Sequence, residues 1–367
     1  MILGDLGATV IKVERPESGD ETRQWGPPRS EGPAGRESAY YLAVNRNKRS
    51  ITADLGNADD VARVRALAAG ADVVVDNFPP GRLERWGLDH GSIAAGNPGV
   101  ISCTISGYGL DGPETGRPGY DFAVQARAGW MAITGDPEGT PSKVGVAVVD
   151  VLTGQNAAIA VLGALQGRER TGRGQRVDVS LFDSALAGLV NVTQAALVTG
   201  RDAPRHGNAH PTIVPYQAFE TADRPVVVAV GNDGQWRRLC AALDLPELAD
   251  DPRFATNPDR VESREVLVPI LARRLRERSA ADWLDDLDEA GVPCAPVQGV
   301  TEALADPAVT GRSDTLWATT GPTFGGLRTV ASPLRLHGTP AALRCPPPAL
   351  GEHQDEIAEH GWGTPPA

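Results

Sequence analysis

The sequence predicts an α/β fold, and three observations carry that prediction. Short β-branched runs alternate with helix-like runs from residue 1 to about residue 190, the order expected of βαβ units and a mostly parallel sheet. Turn signals such as Gly7 and Thr171-Gly-Arg-Gly174 punctuate the alternation. Apolar residues make up 41% and charged residues 22% of the chain, a globular composition with no fixed-period repeat to favour a solenoid.

Each element follows from its local pattern. Residues 1–6 read as the last turns of a helix stopped at Gly7, and residues 9–13 as the strand that follows. That helix lacks a beginning of its own, so the chain starts as if in the middle of a fold. Arg46 to Arg49 form a basic run read as a solvated turn before a strand at 50–53. A helix is predicted at 58–69, with strands at 73–77 and 100–105. The apolar stretch Val144-Gly-Val-Ala-Val-Val-Asp150 ends on an acid, and a glycine- and alanine-rich helix runs on through residue 165. A strand at 176–180 and a buried helix over 181–199 complete this part.

Around residues 201–215 the composition shifts to Gly, Asn, His and Pro, a linker into a second unit. That unit is read as a strand at 225–230, a helix at 235–243, a charged helix near 260–277 and a helix at 280–290, closing at Pro293-Cys-Ala-Pro296. Turns and strands resume over 325–336, then Pro346-Pro-Pro348 and Leu350-Gly-Glu-His353. The domain division is residues 1–204, 205–305 and a return segment 306–367. A chain of 367 residues is longer than one core usually supports, which agrees with that division.

Bulk properties exclude several classes. A net charge of -12 opposes broad nucleic-acid or anionic-membrane binding, so any phosphate site must be local. No uninterrupted apolar run approaches the roughly 20 residues of a bilayer span, so no membrane partner is expected. Cys103, Cys240, Cys294 and Cys345 are far apart with no C-x-x-C, which argues against a zinc site or a redox pair and for reduced thiols in a cytoplasm. The first residues lack the basic and apolar regions of a secretory signal.

Asp150 is the most informative residue. A carboxylate at a strand-to-helix turn faces the partial positive charge of the helix start, stays ionised, and is either an N-cap or a nucleophile. The motifs around it decide. Leu6-Gly-Ala-Thr-Val-Ile-Lys-Val-Glu-Arg-Pro16, Asn45-Arg-Asn-Lys-Arg-Ser-Ile51, Asp76-Asn-Phe-Pro-Pro-Gly81, Ser106-Gly-Tyr-Gly-Leu-Asp-Gly-Pro113, Gly119-Tyr-Asp121, Thr171-Gly-Arg-Gly-Gln175, Asp251-Pro-Arg-Phe254, Gly291-Val-Pro293 and Leu350-Gly-Glu-His353 occur in order. Together they resemble the class III coenzyme A transferases, the family that also contains the α-methylacyl-CoA racemases, over nearly the whole chain.

The resemblance implies a Rossmann-like large domain built from both chain ends, a small central α/β domain, and two subunits interlinked as rings in a homodimer. It implies that CoA moves from an acyl-CoA donor to a small carboxylic acid, with the CoA thioester as substrate and no permanently bound cofactor or metal. The family's nucleophilic aspartate falls on Asp150. Arg15 and Arg85 are the implied cations for CoA, and Asn77 and Phe78, at the end of a strand, would meet it where ligands approach open sheets. Tyr120 and Asp121 complete the implied site. The racemase branch carries a histidine where this chain has Tyr120, whose phenol is poorly matched to proton transfer at neutral pH, so transfer is favoured over racemisation. Racemisation and a non-catalytic CoA-binding role remain the alternatives. Two departures stand out: Gly207-Asn-Ala-His-Pro-Thr212 replaces the glycine flap of formyl-CoA transferases, with His210 either facing the acceptor or exposed on a loop, and the family's first strand is absent from the start of the chain.

Overall fold

The computed structural model describes residues 1–32, 35–320, 324 and 326–363. The chain divides into two compact units. The larger takes in Met1–Ala128, Val146–Val190 and the chain from Pro307 onward, and therefore uses both ends of the sequence. The central unit comprises Gly129–Gly145 and Asn191–Asp306.

The larger unit is α/β with parallel sheets. Strand Ile11–Glu14 pairs in parallel with Arg49–Thr52, Ile11 opposite Arg49. Strand Ile101–Ser106 lies between Val73–Asp76 and Arg176–Ser180, again all parallel. Alternation places Cys103, Ile105, Val177 and Val179 on one face, where Ala157 and Val161 of helix Val148–Thr171 pack against them. Small residues let this helix lie close to the sheet, and Gly172, at φ +69°, ends it by accepting a left-handed turn. By length and composition the helix is also apolar enough to span a bilayer, which no short-run reading of its sequence anticipates; core helices of globular proteins meet the same test.

Helix Ala58–Ala69 and strand Arg176–Ser180 have the bounds their patterns predict, and most other elements shift by one or two residues. Three expectations are corrected. Residues 144–147 form no strand, because no neighbouring strand offers them a ladder, and the helix opens at Val148 with Ala147 as its N-cap. The helix predicted over 181–199 stops at Gly188 and a second, Asn191–Thr199, follows; Val190 breaks the run at φ +44°, and Leu197 in the second helix is 80% exposed rather than buried. The charged helix near 260–277 is likewise two, Asn257–Glu262 and Arg264–Leu275. Residue 325, with which the final predicted segment begins, lies outside the described residues; Arg328–Val330 beyond it pairs with Leu316–Ala318 as a hairpin.

The basic run is the fourth correction: it is not a solvated turn. Arg46 is buried and forms a bidentate pair with Asp5, at 2.7 and 3.0 Å, while Asn47 donates to the same carboxylate at 2.8 Å. Arg49 is buried too, and pairs with Glu356 at 2.8 Å. A second buried network lies beside it. Arg23 donates to both oxygens of Glu14, to Glu37 at 2.6 Å and to the Tyr41 hydroxyl, and Ser50 Oγ donates to Glu14 at 2.6 Å. The outer edge of Arg49–Thr52 is closed by side chains of the last segment: the Ser50 N–H donates to His353 Nδ1, and the Thr52 N–H to Gln354 Oε1.

The central unit has its own core. An antiparallel sheet in the order Cys294–Pro296, Val226–Ala229, Tyr216–Phe219 packs with helices whose Trp236, Leu239, Phe254, Leu271, Trp283 and Leu287 are essentially fully buried.

Candidate active site

Helix Val148–Thr171 begins without a side-chain cap of its own, since Ala147 has none to offer. The cap comes from helix Asp121–Arg127. Asp121 Oδ1 accepts the Val149 N–H at 2.8 Å and the Asp150 N–H at 3.4 Å, and its Oδ2 accepts Gln125 Nε2 at 2.6 Å. Gln125 is fully buried, so the carboxylate is oriented from below. Asp150 is thus not the N-cap that its position in the sequence allowed. It is the third helical residue, carried in a first turn that Asp121 organises.

Two carboxylates therefore meet at one helix start, and among the described residues no cationic side chain stands between them. Asp150 is exposed, but the protein around its carboxyl desolvates it enough to raise its pKa above the ordinary value, and the charge of Asp121 adds to the rise. The sequence-level expectation placed the helix dipole alone at this turn; the neighbouring acid opposes it. The result is a reachable carboxylate of increased basicity.

Tyr40, which sequence reasoning missed, belongs to the same environment. Burial first, then the charges of Asp150 and Asp121, raise its hydroxyl pKa. Its ring meets Trp25 edge-on at 5.0 Å, so an aromatic pair stands near the two acids. No signal in Ala39-Tyr40-Tyr41 distinguishes this half-exposed ring from its fully buried neighbour.

A loop crossing sets where Tyr120 and Asp121 emerge. A Cβ on Gly119 would lie 2.5 Å from Gly107 Cα, so only glycine permits the two backbones to pass. Glu114 holds the loop by accepting from Arg117 and Arg127, both at 2.8 Å, and the Arg127 guanidinium lies 4.7 Å above the Tyr108 ring. Tyr120 follows directly and is exposed.

The other sequence-predicted residues fall at strand ends. Arg15 is exposed just after Ile11–Glu14. Asn77 and Phe78 are exposed just after Val73–Asp76, and Arg85 is exposed on the short turn Leu83–Trp86. Phe78 packs edge-on against Trp86 at 5.3 Å, which draws the Phe78 and Arg85 segments together. Beside them is a cavity of about 360 Å³ lined by Asp76, Phe78, Leu83, His90, Ser102 and Thr104 among others. Asp76, pushed up by burial, accepts from Thr104 Oγ1 at 2.7 Å and from the Phe78 N–H at 3.1 Å.

Comparison with known proteins gives a consistent answer. Residues 1–354 match the model of CoA-transferase family III. The chain is 43% identical to the succinate–glutarate CoA-transferase of Agrobacterium fabrum, covering 97% of this chain and 89% of that protein. It is 41% identical to the succinyl-CoA:glutarate CoA-transferase of Homo sapiens, covering 97% and 80%. A crystal structure of a CAIB/BAIF family protein from Brucella suis superposes with a TM-score of 0.87 at 42% identity, over 97% of this chain and 93% of that one.

Proposed function

The chain belongs to CoA-transferase family III and is a CoA-transferase, and from that premise we propose that Asp150 is its nucleophile and that dicarboxylic acids are its substrates. The observation that carries the assignment is the pair Asp121–Asp150: a solvent-reachable carboxylate of raised basicity, with its backbone pinned by a second acid.

The reaction follows from carboxylate chemistry. An Asp150 oxygen attacks the donor thioester carbonyl, the C–S bond breaks, and an acyl-aspartyl anhydride and CoA thiolate result. The thiolate attacks the aspartyl carbonyl, which forms an aspartyl-CoA thioester and releases the donor acid. An acceptor carboxylate then attacks that thioester, expelling the thiolate and giving a second anhydride. The thiolate finally takes the acceptor acyl group, and Asp150 leaves as a free carboxylate. No net proton or electron is gained or lost.

Arg15 and Arg85 supply charge for the CoA phosphates in this reading, and Asn77 and Phe78 polar and apolar contact. Tyr120 flanks the acyl group. Similarity to transferases named for succinate and glutarate supports the dicarboxylate class. The exposed apolar residues Val151, Ile159 and Leu162 along the long helix support burial against a second copy, in line with a homodimer. Four free thiols support a reducing, cytoplasmic setting.

Trapping with hydroxylamine during turnover, followed by peptide mass spectrometry, tests the nucleophile. A hydroxamate at position 150 is expected; turnover with that position never modified removes Asp150 from the mechanism.

A further inference from the structure

The motif Leu350-Gly-Glu-His353 has no part in the reaction above, yet it lies against the turn that carries Arg15. That turn, residues 15–20, leaves strand Ile11–Glu14 and folds back on itself, the Gly19 N–H donating to the Arg15 carbonyl at 3.1 Å. Glu17 holds φ +63° and Gly19 φ +64°. A residue other than glycine in the left-handed region is strained, and it persists there only where its surroundings fix it.

The turn is fixed from two sides. On the strand side, the Asp20 N–H donates to Glu14 Oε2 at 3.1 Å. On the other side stands the final segment. Gly19 is buried, and a Cβ on it would lie 3.0 Å from Leu350 Cδ1 and 2.8 Å from Arg23 Cδ, so the Leu350 side chain closes directly over the backbone of the turn. Leu350 is itself held between anchored neighbours. The Pro348 carbonyl accepts from Arg23 Nη2 at 3.2 Å and from the Tyr41 hydroxyl at 3.0 Å. The Gly351 N–H donates at 3.0 Å to Ser50 Oγ, which in turn donates to Glu14, and the His353 N–H donates to the Ser50 carbonyl at 2.9 Å. Arg15, by contrast with Arg23, Arg46 and Arg49, is exposed, and among the described residues no carboxylate pairs with it. A rigid turn thus presents a free cation.

We propose that Leu350 is a positioning residue for CoA: it props the 15–20 turn so that the Arg15 guanidinium is set for the phosphates before they arrive. The inference rests on the reading of Arg15 as a CoA cation and adds to it what holds that cation in place. A cation on a loosened turn must be ordered at the moment of binding, and that ordering lowers affinity. Leu350 touches no substrate; it acts through Gly19 on Arg15.

The test is a double-mutant cycle read by calorimetric titration of CoA into the wild type, Leu350→Ala, Arg15→Ala and the double variant. Arg15→Ala should raise Kd roughly tenfold, as for loss of a hydrogen bond to a charged group. Leu350→Ala should raise it roughly fivefold in the wild type and no more than about twofold when Arg15 is already absent. In turnover the loss should fall on KM for the acyl-CoA donor rather than on kcat, and Leu350→Met, which keeps an apolar contact of similar size, should restore it. An equal loss of CoA affinity in both backgrounds, or none in the wild type, overturns the proposal. If Leu350→Ala melts below the assay temperature, Leu350→Val runs the same cycle with the same criteria. A Kd within about twofold of the wild type in Arg15→Ala removes Arg15 itself from the CoA site, which separates failure of that reading from failure of Leu350 to act through it.

Discussion

At the end of strand Ile11–Glu14, Glu14 and Glu37 share the guanidinium of Arg23, whereas at the start of helix Val148–Thr171 Asp121 accepts only neutral donors, the N–H groups of Val149 and Asp150 and the amide of Gln125, and stands beside Asp150. Both regions gather two acids. In the first, burial alone would raise Glu14, but hydrogen bonds from Arg23 and Ser50 outweigh it and its pKa falls. In the second nothing offsets burial, and Asp150 rises. Charge that serves architecture is neutralised on the spot. Charge left uncompensated at an exposed helix start is available to a substrate.

The contrast is broken most severely at Asp150. Replacing it with Asn should reduce CoA transfer roughly a thousandfold or more in a steady-state assay, as nucleophile removal does elsewhere. The same variant should be at least as stable at neutral pH. A raised folded-state pKa means that the charged form is disfavoured by folding, a penalty present above the folded pKa and relieved as pH falls through it. A lowered Tm at pH 7 would contradict this.

Arg23→Ala attacks the opposite region. It strands Glu14 and Glu37 in the interior, and denaturant titration should show a loss of about 3–5 kcal/mol. The linked pH dependence has the opposite sign from Asp150. Nearby Asp20 is raised by burial but held down to about 2 by hydrogen bonds from Lys12 and Thr22, so its contribution to stability is present above pH 3.8 and lost as pH falls toward 2.

The smallest effect is expected from Asp121→Asn. The amide oxygen can still cap the helix, while the charge beside Asp150 disappears. Asp150 must be ionised to attack, so the acid limb of kcat/KM should move to lower pH with the helix unchanged by circular dichroism. An acid limb that stays in place would show that Asp121 acts through position alone.

Much of this was legible in the sequence, for definite reasons. Regular periodicity located helix Ala58–Ala69 and strand Arg176–Ser180, and the ordered motifs identified the family. What escaped depends on distant partners. Arg46 and Arg49 resemble a solvated run until Asp5 and Glu356, 41 and 307 residues away, are brought against them. Residues 144–147 have strand composition and no strand to pair with. Asp121 owes its place beside Asp150 to a loop crossing that only Gly107 and Gly119 permit, and no local pattern encodes where that crossing points, nor that Tyr40, more than 80 residues earlier, shares the environment of the two acids.

The closure of strand Arg49–Thr52 by His353 and Gln354 has a consequence for handling the molecule. In a parallel pair alternate N–H groups face outward, and here those of Ser50 and Thr52 are occupied by an imidazole and an amide rather than by another backbone. The final segment acts as a guard against recruitment of foreign strands: cleavage ahead of His353 would leave an adhesive rim, with aggregation rather than simple loss of activity as its first symptom.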